Sequence, residues 1–126
     1  MTHVPVPESD EINGNLIALN ALAGIPLKAI QGFRTPFLNY SAHTLQLLAQ
    51  AGFTYDSSAT SSIPVTNPKS DAFWPYTLDN GLNNDCISFP GICNGQPKLP
   101  GFWEMPMYAM FDDQGVAGPH LMDPWL

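Results

Sequence analysis

Apolar positions recur at helical spacing near the start of the chain. Ile12, Leu16, Leu19 and Leu22–Ala23 fall on one face of residues 10–23. Asp10 is placed to cap that helix, and Gly24 and Pro26 to end it. Residues 27–33 predict a short strand that runs into Arg34-Thr35-Pro36. Ser41 predicts the cap of a second helix, with Leu45, Leu48 and Ala49 turned inward and Gly52 closing it. Phe53-Thr54-Tyr55 predicts a second strand, closed by Asp56-Ser57-Ser58. Helix–strand–helix–strand is the grammar of a parallel α/β sheet or barrel. From Ala59 to Pro100 no period is sustained, which predicts a long functional or covering loop. Trp74, Pro75, Tyr76 and two cysteines give that stretch the look of an ordered lid. Trp103 to Phe111 predicts a third strand, with Trp103, Met105, Met107, Ala109 and Phe111 on one face.

A chain of 126 residues fits one small domain, or a piece of a larger one. Its 44% hydrophobic content is enough for a core. The net charge of −7 argues against nucleic acid and anionic membrane surfaces, whose binding relies on Lys and Arg. No apolar run approaches the roughly 20 residues of a membrane span, and no charged-then-apolar signal segment opens the chain. Prolines and glycines concentrate after residue 60, so the second half is expected to be rich in loops.

Cys86 and Cys93 lie further apart than the two to four residues or so that separate paired zinc ligands, and no second Cys/His pair follows. A local disulfide is favoured over a zinc site, and it would imply an oxidising compartment.

Only four Lys and Arg occur in the whole chain, so an arginine held between Phe33 and Pro36 is not ordinary surface charge. Its rigid fork of donors suits a carboxylate, and the C-terminal ends of strands are where α/β folds place their chemistry. The alternative is a structural arginine paired with a buried acid.

Several segments, in order, resemble the polysaccharide deacetylases, the carbohydrate esterase family that includes chitin deacetylases. Arg34-Thr35-Pro36-Phe37 is similar to that family's R-x-P-Y motif, with Phe in place of Tyr. Gly52-Phe53-Thr54-Tyr55-Asp56-Ser57-Ser58 resembles its strand G-(F/Y)-x-Y-D-S-(S/T). Phe73 to Asp79, the cysteine pair and Pro100 to Met107 resemble the chitin-deacetylase-like branch. Met1-Thr2-His3 resembles the end of the metal-binding motif H-(S/T)-x-(S/T)-H.

The resemblance implies part of a distorted (β/α) barrel with a long irregular loop insertion, residues 1–126 being an incomplete catalytic domain. The T-F-D-D motif with the aspartate base would lie upstream, and the late histidine motif with the general acid downstream. It implies metal-dependent hydrolysis of N-acetyl groups from an acetylated polysaccharide, with chitin favoured by the cysteine pair and the W-P-Y-T-L-D stretch. A divalent ion, zinc by preference, would be bound in part by His3. Arg34 would hold the base in orientation, and the Phe37 backbone N–H would complete the oxyanion site. Trp103 would line the sugar groove, although a place in the core is an equal alternative. His43 and His120 carry no role in this reading, and Asp112-Asp113 reads as a solvated turn. The parent protein would be secreted, outside the cell or in its wall, and this chain alone inactive. The rival expectation is a non-catalytic carbohydrate-binding or cell-wall protein of the same fold.

Overall fold

The computed structural model describes residues 7–61, 73–83 and 95–108. His3, Cys86, Cys93, Asp112, Asp113 and His120 lie outside them, and so do the metal-ligand and disulfide expectations.

Helix α1 spans Ser9–Ala21. Its cap is Glu8 rather than Asp10: the Glu8 side chain accepts from the backbone N–H of Glu11, whose carboxylate in turn accepts from Glu8 N–H at 3.0 Å. Only Ile12 of the expected apolar face is fully buried; Leu16 is half-buried and Leu19 and Leu22 are exposed. Leu22 stands at the C-cap, where the helix has already ended.

The expected strand over 27–33 shrinks to Gly32–Phe33, here β1. Pro26 starts a 3-10 turn over Leu27–Ala29 instead, held by Ala29 N–H to Pro26 O at 2.8 Å. Helix α2, Ala42–Gln50, matches its expectation. Ser41 caps it by accepting from Thr44 N–H at 3.1 Å, Leu45 and Leu48 are buried, and Gly52 follows with φ +90°.

Strand β2 is Tyr55–Asp56, two residues later than the apolar run suggested. Phe53 goes into the core under α2, its ring edge-on to Phe33 at 5.5 Å. A further strand, β3 (Tyr76–Leu78), lies inside the stretch read as a lid. The last, β4, is Leu99–Glu104 and not 103–111. On it Phe102 and Glu104 face inward while Trp103, and Met105 just past its end, are exposed, so the face of Trp103 and Met105 is the outer one.

The sheet order is β1-β2-β4-β3. The pairs β1–β2 and β2–β4 are parallel, and β3 runs antiparallel to β4. Among the described residues the result is a mixed α/β fold with two α-helices. The core joins Ile12, Leu45 and Leu48 from the helices to Leu78 and Phe102 of the sheet. Register aligns Gly32, Tyr55, Trp103 and Thr77 across one face. The Tyr55 ring occupies the place a Cβ at Gly32 would need.

Gly81 is where the turn after β3 meets the run into β4. Its φ is +87°, and an added Cβ would sit 2.1 Å from the Gly95 carbonyl carbon. Backbone cannot yield there as a side-chain tip can. Gly81→Ala is therefore expected to destabilise the fold by more than about 2 kcal/mol in urea unfolding.

Candidate functional site

The three parallel strands end side by side, and their last residues are laced together. Arg34, just past β1, donates from Nε to Ser57 O at 2.9 Å and from Nη2 to Ser57 Oγ at 2.8 Å. Ser57 Oγ in turn donates to Met105 O at 2.8 Å. Arg34, Ser57 and Met105 thus form a row one dipeptide beyond the row of Gly32, Tyr55 and Trp103. Both rows lie on the sheet face opposite Phe102 and Glu104, because side chains alternate along a strand.

The next residue of each strand clamps on the other face. Thr35 N–H donates to Ser58 Oγ at 2.9 Å. Ser58 Oγ in turn donates to Asp56 Oδ1 at 2.9 Å, and Ser58 N–H to Asp56 Oδ2 at 2.8 Å. The dipeptide Ser57-Ser58 therefore holds the dipeptide Arg34-Thr35 by side chain on one face and by main chain on the other.

After that clamp the chain makes a strained turn. Phe37 has φ +55° and ψ +21°, and Leu38 also has φ +55°. Two successive non-glycine residues in the left-handed region cost on the order of 1–3 kcal/mol each and persist only where the surroundings enforce them. Leu38 is buried, which anchors the turn, while the Phe37 ring is 82% exposed. The turn's hydrogen bonds run from Leu38 N–H to Thr35 O and from Asn39 N–H to Pro36 O. They leave the Phe37 N–H without an acceptor among the described residues.

Beneath the clamp lie two carboxyls that sequence reasoning passed over. Asp56 and Glu104 are direct partners in the β2–β4 register, and both are fully buried. Glu104 Oε1 accepts from Ala59 N–H at 3.1 Å, while Oε2 has no donor among the described residues. Burial above all, then the charge of Asp56, pushes the Glu104 carboxyl up to about 10. Burial also raises Asp56, to about 6, against the pull of its bonds from Ser58. Burial that raises both carboxyls favours the protonated form of Glu104, and its Oε2 is left without a hydrogen-bond partner among the described residues. The sequence holds no local signal for this pair, because Glu104 lies between the apolar Trp103 and Met105 and its partner Asp56 is distant in the chain.

Arg34 and Phe37 stand together at the C-terminal end of β1. Trp103 is on the same sheet, two strands away and so about 10 Å across it, and is 41% exposed rather than in the core. His43 is exposed on α2, with Nε2 3.9 Å from Glu8 Oε2, a surface contact of little energetic weight. Among the described residues no three His, Cys, Asp or Glu side chains are grouped to hold a metal ion. The acid pair, fully buried, is too enclosed to act as one. The described residues therefore do not fit a metal centre by themselves. Among them, too, no helix is long and apolar enough to cross a membrane.

No protein-family profile matches the chain. It is 38% identical over 91 residues to chitin deacetylase 8 of Bombyx mori. That stretch covers 71% of this chain and 22% of the silkworm protein. The chain thus spans about a fifth of the length of the curated relative it matches. A match of that extent supports a chitin-deacetylase-like relationship.

Proposed function

We propose that this chain is part of a secreted hydrolase that removes N-acetyl groups from an acetylated polysaccharide, chitin first among them. In this reading β1, β2 and β4 are a sector of a (β/α) barrel, with the clamped turn at its C-terminal rim. The observation that carries it is the pairing of a fixed Arg34 with the open N–H of Phe37 on one rigid turn. The likeness to a chitin deacetylase supports the substrate class.

Amide hydrolysis passes through a tetrahedral oxyanion, which needs a preorganised donor and a positioned base. The Phe37 N–H is held by strained backbone that a flexible loop would relax, so it costs no reorganisation when the oxyanion forms. Arg34 spends Nε and Nη2 on Ser57, which fixes the guanidinium plane for a carboxylate base supplied from outside the described residues. Trp103 offers an aromatic face to the apolar side of a sugar ring. The divalent ion implied by the resemblance would supply Lewis-acid chemistry and would be held outside the described residues, with His3 one ligand.

The test is acetate release from chitin oligomers with added Zn²⁺. The 126-residue chain is compared with one extended by its upstream and downstream coding sequence. Turnover is expected from the extended chain and little from the short one. Equal turnover by both would mean that the machinery is complete within these residues, with His43 and His120 the first to substitute. A second reading, a carbohydrate-binding protein without catalysis, draws on the exposed Trp74 and Trp103. Oligomer binding by the extended chain without acetate release would favour it.

A further inference from the structure

The Asp56–Glu104 pair is fully buried, and it is wired to the turn above it. Register places the two carboxyls opposite one another on adjacent parallel strands. From Asp56 the path runs through two bonds of Ser58 to the Thr35 N–H, which sits between Arg34 and the strained Pro36–Leu38 turn. From Glu104 a bond to Ala59 N–H fixes the same segment one residue further on. We propose that Asp56 and Glu104 hold one proton between them, and that this singly charged pair is the positioning element for Arg34 and the Phe37 N–H, acting through Ser58. The role rests on the deacetylase reading for its purpose, though not for its test.

One proton is the state the surroundings accept. With none, two like charges face each other in a site with little water. With two, Asp56 keeps a proton that competes with the donors of Ser58. The groups around the pair are few. Tyr40, ahead of α2, and Tyr76, on β3, border it, and burial raises both phenols, so they stay neutral and add no charge. Arg34 is the cation whose charge reaches Glu104. The titratable group of helix α2, His43, is exposed and lies against Glu8. A single negative charge on Asp56, balanced across Ser57 and Ser58 by Arg34, leaves the strand ends in register. A second would push β2 and β4 apart where Ser57 Oγ must reach Met105 O.

The test uses the isotope-labelled 126-residue chain in solution. Side-chain carboxyl signals are followed through a pH titration, with hydrogen exchange read at Arg34 Nε–H and Thr35 N–H. Asp56 is expected to ionise well before Glu104, whose signal stays that of the acid past neutrality. Glu104→Gln, whose amide donates to Asp56 in place of the shared proton, should leave neither exchange rate faster than in the parent chain. Ser58→Ala keeps the pair but cuts its link to the turn, and should speed exchange at both positions about tenfold or more. Two carboxyls titrating independently in the ordinary range would overturn the proposal. Unchanged exchange in Ser58→Ala, or fast exchange in Glu104→Gln, would overturn it as well. Because no readout is acetate, failure here is separate from failure of the proposed reaction.

Discussion

Stability should fall, not rise, as the pH climbs from about 4 to about 8. Both acids of the buried pair have folded-state values above their unfolded ones: Glu104 moves from 4.5 to about 10 and Asp56 from 3.8 to about 6. A raised value means that the unfolded chain releases its proton first. The stability tied to the proton is therefore complete below the unfolded value. It drains away between the two values and is gone once the folded group ionises. For Asp56 that window closes near pH 6, while for Glu104 it runs on into the alkaline range. At 1.36 kcal/mol per pH unit, the Glu104 contribution alone falls by about 3 kcal/mol between its unfolded value and neutrality. Glu104→Gln cannot ionise in either state and keeps its bond from Ala59. It should match the parent at pH 4 and exceed it by about 2–3 kcal/mol at pH 7. Urea unfolding at the two pH values measures this directly. A variant less stable than the parent at neutrality would mean that Glu104 is ionised in the fold.

The largest effect on activity should come from Arg34. In the extended chain, Arg34→Ala is expected to lower kcat on chitin oligomers by about 10²–10³, the usual scale for losing a positioned electrostatic group. KM should change little, because no contact to the sugar is removed. Arg34→Lys keeps the charge but loses the planar fork that donates to Ser57 O and Ser57 Oγ from two separate nitrogens, so it should recover only a minor part of the rate. Full activity in the lysine variant would show that charge alone suffices and that the two-point attachment has no role. Steady-state kinetics across the two variants separates these outcomes.

Much of the site's location was legible, and less of its architecture. Arg34 announced itself because cations are so scarce and because Pro36 marks the strand end. Ser41 and Gly52 gave away α2, since capping chemistry is local and obeys the backbone alone. The strands were harder, for they are two or three residues long outside β4, too short to express a period. Strand β3 was lost within the run from Ala59 to Pro100, where Trp-Pro-Tyr reads as loop. Past β4's start the alternation was legible but not which face is buried: Trp103 and Met105 are apolar and exposed, while Phe102 and Glu104 are buried. Hydropathy cannot rank a buried acid above an exposed tryptophan. Only the partner carboxyl on β2, 48 residues away in sequence, makes Glu104 acceptable inside, and nothing local reveals that pairing. For the same reason the left-handed turn at Phe37–Leu38 was invisible, being imposed by the clamp and not by residue preference.

Two of the acceptors in the clamp around Arg34 are carbonyls, those of Ser57 and Met105. A carbonyl is present whatever side chain its residue bears. Position 105 therefore holds the arginine's support in place while its own exposed side chain is at liberty to change. Variation at 105, and at 103 beside it on the same open face, can reshape what the surface accepts without loosening the group that orients the chemistry. Under the proposed deacetylase function, an architecture of this kind would let substrate preference drift under selection while the turn at Phe37 stays fixed.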